Sequence, residues 1–199
     1  MSPKPDVSAE RKQQILTAAT RVFARRGIEA SRMQEIAREA GLSVGGVYWY
    51  YQSKEEIVLG LLQSFVEKDL ELARSFLQTP GSARQRLELI LTVGLNEAVQ
   101  LMPITLELYR ESVHNAEVRA LLQNYLSSYR EVFMALIAHG ISTGEFRPVD
   151  PSTAAIMLIA LYEGSMELTL LTPDLSQAAD MFSTNLSLFF QGIENANMR

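Results

Sequence analysis

The chain has 199 residues, 47% of them hydrophobic, and a net charge of −5, values that suit one or two globular domains and exclude a disordered chain. It contains no cysteine, which excludes disulfides, zinc-thiolate sites and thiol nucleophiles. No apolar run approaches the roughly 18 residues of a bilayer-spanning helix, and the opening MSPKPDVSAERK lacks the apolar core of a secretory signal, so we expect a cytoplasmic protein without membrane contact.

Hydrophobic residues recur at helical spacing along the whole chain, so the predicted fold is all-α with nine helices and no strand. Capping residues and helix breakers set the limits of these helices: Ser31 and Ser53 each begin a capping box, and Gly27 and Gly41 each end a helix. The predicted helices span residues 8–26, 31–40, 43–51, 53–78, 83–100, 103–113, 116–143, 151–171 and 174–191.

The second and third of these helices have the form of a helix-turn-helix, with a turn of about three residues that contains glycine. Residues 1–54 carry nine Lys or Arg and five Asp or Glu, a net charge of +4. Residues 55–199 carry nine Lys or Arg and eighteen Asp or Glu, a net charge of −9. A basic module on an acidic body is typical of a protein that meets nucleic acid at one end, although chance unevenness is an alternative. We therefore predict a DNA-binding domain over residues 1–54 and a second domain over residues 55–199.

The stretch SVGGVYWYYQSKEEI, residues 43–57, places four aromatic residues in succession. One helical face cannot bury four consecutive residues, so we expect Val47 and Tyr51 to face the core and Tyr48 and Trp49 to face outward, where tyrosine can reach phosphate. The alternative is that all the rings form the core of a small three-helix domain. The predicted DNA-contacting residues are Ser31, Arg32, Met33, Ser43, Val44, Gly45, Gly46, Tyr48, Trp49, Tyr50 and Lys54.

This part of the sequence resembles the tetracycline-repressor-like (TetR) family of bacterial transcription regulators. The resemblance covers residues 11–57 and is carried by Ile15-Leu16-x-Ala18-Ala19-x-x-Val22-Phe23-x-x-x-Gly27, by Ile36-Ala37-x-x-Ala40-Gly41-Leu42-Ser43 and by Gly46-Val47-Tyr48-x-Tyr50-Tyr51-x-Ser53-Lys54-Glu55. It implies a homodimer that binds a two-fold operator on double-stranded DNA, and repression that a small-molecule inducer relieves. An activator without a ligand is the alternative within DNA binding.

The last two predicted helices are apolar around much of their circumference, so each needs more than one partner to bury it. The family's dimer interface, a bundle of the last two helices of each chain, would supply that partner. The alternative is that these side chains form the interior of a single chain. The predicted interface residues are Leu158, Leu161, Phe182, Leu186, Phe189 and Phe190.

The acidic body also holds large apolar and aromatic side chains that could line a ligand cavity. Glu163 and Glu167 share one face of a largely apolar helix, and a buried unpaired carboxylate is costly. They are expected either to pair with an arginine of a second subunit or to select a cationic inducer. The candidate ligand residues are Phe65, Met102, Tyr109, Tyr125, Tyr129, Phe133, Met157, Tyr162, Glu163, Met166 and Glu167.

A helical di-metal enzyme of the ferritin-like type is the alternative from another class. Glu107, Glu111 and His114 share one helical face, and Glu111-x-x-His114 has the spacing of a carboxylate-bridged metal pair. A second Glu-x-x-His is needed, and His139, the other histidine, lacks a glutamate three residues before it. We therefore expect no metal, no other cofactor and no enzymatic activity.

Overall fold

A computed structural model describes residues 7–93, 95–169, 171 and 175–195. Within these residues the chain forms nine α-helices and no strand, as the sequence predicts. The helices are α1 (Val7–Arg26), α2 (Met33–Ala40), α3 (Val44–Tyr48), α4 (Lys54–Ser75), α5 (Ala83–Thr92), α6 (Leu95–Ser112), α7 (Ala116–Ser142), α8 (Pro151–Thr169) and α9 (Leu175–Ile193).

The chain divides into two compact units, Met1–Val66 and Glu67–Arg199. The division falls inside α4, whereas the predicted functional boundary at residue 54 coincides with the start of that helix. The assignment of separate functions to residues 1–54 and 55–199 stays a prediction.

The first unit is a three-helix arrangement closed by the start of α4. Its core consists of the apolar stripes of α1 and α2 with Val47, Tyr51 and Ile57, all buried. Gly41 ends α2 in the left-handed conformation, with φ of 66°, where a side chain would add strain. Two residues later the hydroxyl of Ser43 accepts a hydrogen bond from the N–H of Gly46 at 3.0 Å and begins α3.

The second unit has one hydrophobic core, which draws on α4, α5, α7, α8 and α9. Gly140 on α7 lies against the ring of Phe146, and a Cβ atom there would come within 2.3 Å of that ring. The carboxylate of Glu145 accepts hydrogen bonds from the N–H groups of Ala83 and Arg84, at 2.7 and 2.9 Å, and so caps α5. These contacts fasten the α7–α8 turn to the start of α5.

The largest departure from the predicted elements concerns α5 and α6. The sequence predicts a helix that ends near residue 100 and another that begins at Pro103. In the structure α5 ends at Thr92, and Pro103 lies inside α6. A proline inside a helix removes a hydrogen bond and costs about 3 kcal/mol, so burial of Ile104 and Leu108 on the same helix outweighs the local preference. Among the described residues, no helix is long and apolar enough to cross a membrane.

Candidate DNA-binding surface and ligand cavity

The third helix exposes its aromatic side chains. Trp49 is 82% exposed and Tyr48 is 40% exposed, while Tyr50 is partly exposed. Val47 and Tyr51 are buried, as the helical spacing predicts. A tryptophan with most of its surface in water is rare for a residue of this size, so this end of α3 is a candidate contact surface.

Most of the other predicted DNA-contacting residues also lie at the surface. Arg32, Ser43 and Gly45 are exposed, and Val44, Gly46 and Lys54 are partly exposed. The ammonium of Lys54 donates hydrogen bonds to the carbonyls of Glu29 and Ser31, at 3.1 and 3.5 Å. Lys54 therefore holds the α1–α2 turn in place, besides any contact it makes with DNA.

Two of the predicted contact residues do not present their side chains to a ligand. Ser31 is buried, and its hydroxyl donates to the carbonyl of Gly27 at 2.5 Å. Met33 is buried on the inward face of α2 with Ile36 and Ala37. Position near a helix start does not tell which way a side chain points, and the burial of these two side chains argues against a direct contact with DNA.

The ring of Tyr51 packs closely against α4 because residue 60 is glycine. A Cβ atom at Gly60 would lie 2.9 Å from the Tyr51 ring and 3.2 Å from Leu16. Burial raises the pKa of Tyr51, so this phenol stays neutral. The end of α3 is thereby fixed to the first turns of α4 within the same compact unit.

A cavity in the second unit is lined by aromatic, aliphatic and acidic side chains. Its volume is about 20 Å³, the space of about one water molecule, and it is partly open to solvent. No Lys, Arg or His is among the described residues that line it. The lining residues are Asp69 from α4; Ile90 and Leu91 from α5; Val93, which follows α5; Tyr125, Leu126, Tyr129 and Phe133 from α7; and Ile159, Tyr162 and Glu163 from α8.

Hydrogen bonds from tyrosines hold the two carboxylates of the cavity. The hydroxyls of Tyr125 and Tyr129 both donate to Asp69 Oδ2, the former at 3.3 Å. The hydroxyl of Tyr109 on α6 donates to Glu163 Oε2 at 3.1 Å. Each bond joins two helices, α4 to α7 in the first case and α6 to α8 in the second. We call Asp69, Glu163 and these three tyrosines the tyrosine–carboxylate cluster.

Aromatic rings follow one another along the cavity wall. Tyr125, Tyr129 and Phe133 occur at four-residue intervals on α7 and pack edge to face, with ring centroids 5.1 and 5.6 Å apart. Tyr162 on α8 adds a ring that packs edge to face against Phe182 at 6.0 Å. The cavity therefore combines aromatic rings with negative charge.

Burial and neighbouring carboxylates shift the titration of this region. Burial first, and then the charge of Asp69, raises the pKa values of Tyr129 and Tyr162 well above the usual range. Burial raises the pKa of Glu163, the hydrogen bond from Tyr109 lowers it, and the charge of Glu167 raises it, with a net upward shift. The tyrosines therefore remain donors, and the ionised form of Glu163 is disfavoured.

Five of the predicted ligand residues line this cavity: Tyr125, Tyr129, Phe133, Tyr162 and Glu163. Tyr109 contacts it indirectly, through Glu163. The other five do not line this cavity: Phe65 lies in the first unit, Met102 and Met166 are buried, and Met157 and Glu167 are exposed.

Sequence reasoning missed Asp69. Asp69 lies within the sequence EKDLE of α4, a polar stretch in which an acidic side chain is ordinary. Only the packing of α7 beside it turns Asp69 into the acceptor for two tyrosines. The aliphatic lining residues carried no sequence signal that separates them from core.

The predicted dimer residues lie mostly in the interior of the single chain, and their role in an interface stays a prediction. Leu158, Phe182, Leu186, Phe189 and Phe190 are buried within one chain, and Leu161 is partly buried. The interior of a single chain, the alternative considered from the sequence, accounts for them. Among the residues of α8 and α9 whose burial is described, the exposed large apolar side chains are Ile156, Met157, Leu168 and Leu188, between 45% and 61% exposed.

The glutamates that suggested a metal pair belong to α6 and its end. Glu107 pairs with the guanidinium of Arg110, and Glu111 accepts a hydrogen bond from the side chain of Asn115 at 3.4 Å. Across the described residues, no group of three or more His, Asp or Glu is placed to hold a metal ion.

Comparisons with known proteins agree with this architecture. The sequence profile of bacterial regulatory proteins of the tetR family matches residues 15–61, and the profile of the BetI-type transcriptional repressor, C-terminal, matches residues 83–187. The HTH-type transcriptional regulator YfiR of Bacillus subtilis (strain 168) is 31% identical over 174 residues, which cover 84% of each chain.

Two solved structures share the fold. A transcriptional regulator from Saccharomonospora viridis, solved in complex with choline, is 26% identical with a TM-score of 0.82 and covers 94% of this chain and 99% of its own. The regulator FadR from Bacillus subtilis, solved in complex with stearoyl-CoA, is 24% identical with a TM-score of 0.75, covering 92% and 99%. The likeness to FadR, at 24% identity, shows the fold alone.

The exposed helix-turn-helix and the helical second unit, with these matches, define a DNA-binding transcriptional regulator. The chain belongs to the tetR family of bacterial regulatory proteins.

The raised pKa of Glu163 predicts a pH-dependent loss of stability. A carboxyl whose folded pKa exceeds its ordinary value of 4.5 contributes stability that is complete below that value and is lost as pH rises through the folded pKa. Glu163→Gln should therefore raise the thermal unfolding midpoint relative to the parent, and by an amount that grows as pH rises above 4.5. Glutamine can still accept the Tyr109 hydrogen bond.

The matched control is Glu131→Gln, at an exposed position of α7. We expect this variant to follow the parent across the same pH series. Unfolding midpoints of the parent and of Glu163→Gln that stay parallel over the whole series would contradict the assignment.

Proposed function

We propose that this regulator is a homodimeric repressor that binds a two-fold operator and leaves it when a cationic small molecule occupies the cavity of the second unit. Residues 1–54 supply DNA binding, and residues 55–199 supply ligand binding and dimerisation. The observation that carries the ligand class is a cavity with two carboxylates, four aromatic rings and, in its described lining, no basic side chain.

DNA binding is assigned to the exposed side of α3 and to exposed residues before and after that helix. The contact residues are proposed to be Arg32, Ser43, Val44, Gly45, Gly46, Tyr48, Trp49, Tyr50 and Lys54. The exposure of Tyr48 and Trp49 supports this assignment, because tyrosine hydroxyls reach phosphate and aromatic edges contact thymine methyl groups. Gly45 has no atom within 4 Å of where a Cβ would stand, so the backbone there is open to close approach.

A cation fits the cavity better than an anion does. Aromatic faces attract cations, by about 2 kcal/mol when the contact is desolvated, and Asp69 and Glu163 add negative charge. The phosphates of a CoA thioester would meet the same carboxylates unfavourably. The Saccharomonospora viridis relative binds choline, a quaternary ammonium compound, and this supports the same ligand chemistry here.

Ligand binding can act on α4 because Asp69 belongs to that helix. The same helix begins at Lys54 and supplies Ile57 and Gly60 to the packing of the first unit. A cation that changes the bonds of Asp69 with Tyr125 and Tyr129 therefore acts on the helix that supports α3. Release requires that the cation bind the conformation unable to hold DNA more tightly than the competent one.

The dimer face is proposed to be the exposed side of α8 and α9. Ile156, Met157, Leu168 and Leu188 expose apolar surface there. Ala160 and Gly164 lie between them on α8, and small residues allow close approach of another helix. The occupant is a second copy of the chain, since a two-fold operator calls for two helix-turn-helix units roughly 34–36 Å apart.

DNA contact is tested with Trp49, the one tryptophan of the chain. A duplex selected from a random pool by the full-length protein should change the emission of Trp49 on titration. Tyr48→Phe, which removes only a hydroxyl, should weaken binding by roughly tenfold, the value of a hydrogen bond to a charged group, and should leave the unfolding midpoint unchanged. Tyr51→Phe is the control, because Tyr51 is buried. Equal affinities for parent and Tyr48→Phe, with silent Trp49 emission, would reject the surface.

The dimer face is tested by sedimentation. Leu188→Glu should shift the protein to monomer at micromolar concentration, because it places a charge where apolar surface is buried between subunits. Val113→Glu is the matched control, since Val113 is 63% exposed and lies outside α8 and α9. A parent protein that is monomeric at that concentration, or a Leu188→Glu variant that stays dimeric, would contradict the proposal.

Ligand class is tested with choline and its uncharged carbon isostere, 3,3-dimethyl-1-butanol, by calorimetric titration. Choline should bind and the isostere should bind at least tenfold more weakly, the difference expected of a desolvated cation contact. Asp69→Asn and Glu163→Gln should each weaken choline binding and leave binding of the isostere nearly unchanged. Equal binding of both compounds, or unchanged choline binding by both variants, would show that the cavity does not select cations.

A further inference from the structure

The two carboxylates that line the cavity of the second unit accept different numbers of hydrogen bonds. Asp69 Oδ2 accepts hydrogen bonds from the hydroxyls of both Tyr125 and Tyr129. Among the described residues, Glu163 accepts one side-chain hydrogen bond, from the hydroxyl of Tyr109 at 3.1 Å. Each such donor stabilises the ionised form of a carboxyl group, so the ionised form of Glu163 has the weaker support.

The surroundings of Glu163 bring no positive charge to it. The titratable groups that face it, within the described part of the chain, are Tyr109 of α6, Tyr162 and Glu167 of α8, Asp69 of α4, and Tyr125 and Tyr129 of α7. Burial, and after it the charge of Glu167, raises the pKa of Glu163 against the opposing hydrogen bond from Tyr109. In the absence of another cation, a proton is the positive charge that this carboxylate can take up.

A bound organic cation reverses this balance. Its charge favours the ionised carboxylate, because an opposite charge within about 4–6 Å lowers the pKa of an acid. Glu163 can therefore be neutralised in two ways, as a carboxylic acid that holds a proton or as a carboxylate beside the cation. The two states exclude each other, since protonation removes the charge that attracts the cation.

We propose that an organic cation and a proton compete for Glu163, so that binding of the cation transfers up to one proton from this carboxyl group to solvent. The inference rests on the proposed cationic ligand and adds its regulation by pH. The O–H bond of the acid breaks, the electron pair stays on the oxygen, and the proton goes to water or buffer. The cation brings in the charge that the proton carries away. The regulator therefore needs more cation to leave DNA as the pH falls.

The competition fixes the direction of the pH dependence. Above the pKa of Glu163 in the free protein the carboxylate is already ionised, and affinity for the cation is constant. Below that pKa each binding event must remove a proton, so affinity falls by about tenfold per pH unit until the lower pKa of the complex is reached. The decline begins above 4.5, the ordinary value of this acid, because the pKa in the free protein is raised.

Two substitutions beside Glu163 should shift the midpoint of this decline in opposite directions. Glu167, exposed on α8, raises the pKa of Glu163 through its charge, so Glu167→Gln should move the decline to lower pH. The hydrogen bond from Tyr109 lowers that pKa, so Tyr109→Phe should move the decline to higher pH. A merely structural role of these two residues would not produce shifts of opposite sign.

Calorimetric titration with choline over a pH series tests the competition, because a quaternary ammonium keeps its charge at every pH. Each titration is run in two buffers of different ionisation enthalpy, and the difference between the observed enthalpies counts the protons released. In the parent this number should rise toward one as the pH falls below the pKa of Glu163. Glu163→Gln should release no proton and bind with an affinity independent of pH, while Asp69→Asn should bind more weakly and still release the proton.

The controls are Glu131→Gln, exposed on α7, and the uncharged isostere 3,3-dimethyl-1-butanol. Glu131→Gln should follow the parent, and affinity for the isostere should not decline at low pH, because an uncharged ligand does not compete with a proton. Choline that binds without proton release at every pH, or release that Glu163→Gln retains, would overturn the competition and leave the cationic ligand class standing. Choline that binds at no pH would overturn the proposed ligand class, and the competition with it.

Discussion

The carboxylate of Asp69 accepts hydrogen bonds from the hydroxyls of Tyr125 and Tyr129, and the rest of the ligand cavity is organised around that contact. Two tyrosines that converge on one oxygen keep an acid in a largely apolar wall and fix the rings at four-residue spacing on α7. The hydrogen bond from Tyr109 holds the carboxylate of Glu163 on α8 in the same way. A cavity built in this way is negative and aromatic before any ligand arrives, and its volume of about 20 Å³ means that side chains must move for an organic cation to enter.

This arrangement lowers stability in order to provide a binding site. Burial disfavours the ionised form of Glu163, and the same desolvation strengthens the attraction between that carboxylate and a bound cation. Buried side-chain oxygens and nitrogens in the described residues all have hydrogen-bond partners, so the cavity differs from a packing defect. A bound cation would offset the unfavourable charge, and the ligand would then stabilise the conformation in which it is bound.

The sequence predicts the nine helices because caps and breakers act locally, and Gly41 with Ser43 is sufficient to define the turn between α2 and α3. It also predicts that Val47 and Tyr51 face inward, because a four-residue interval fixes their shared face. It does not find Asp69, whose role depends on which residues of α7 lie beside it. It does not distinguish the two apolar sides of α8 and α9, because a helix that is apolar on two sides gives no local sign of which side packs within the chain.

We propose that the cavity and the DNA-binding surface share one conformational equilibrium. Calorimetric titration of choline into the free protein and into the protein saturated with its selected duplex tests this most directly. Thermodynamic linkage requires that DNA weaken choline binding by the same factor by which choline weakens DNA binding, typically about 5–150-fold. Choline should therefore bind the DNA complex about 5–150-fold more weakly than it binds the free protein. Choline that binds with the same affinity to the free protein and to the DNA complex would contradict it.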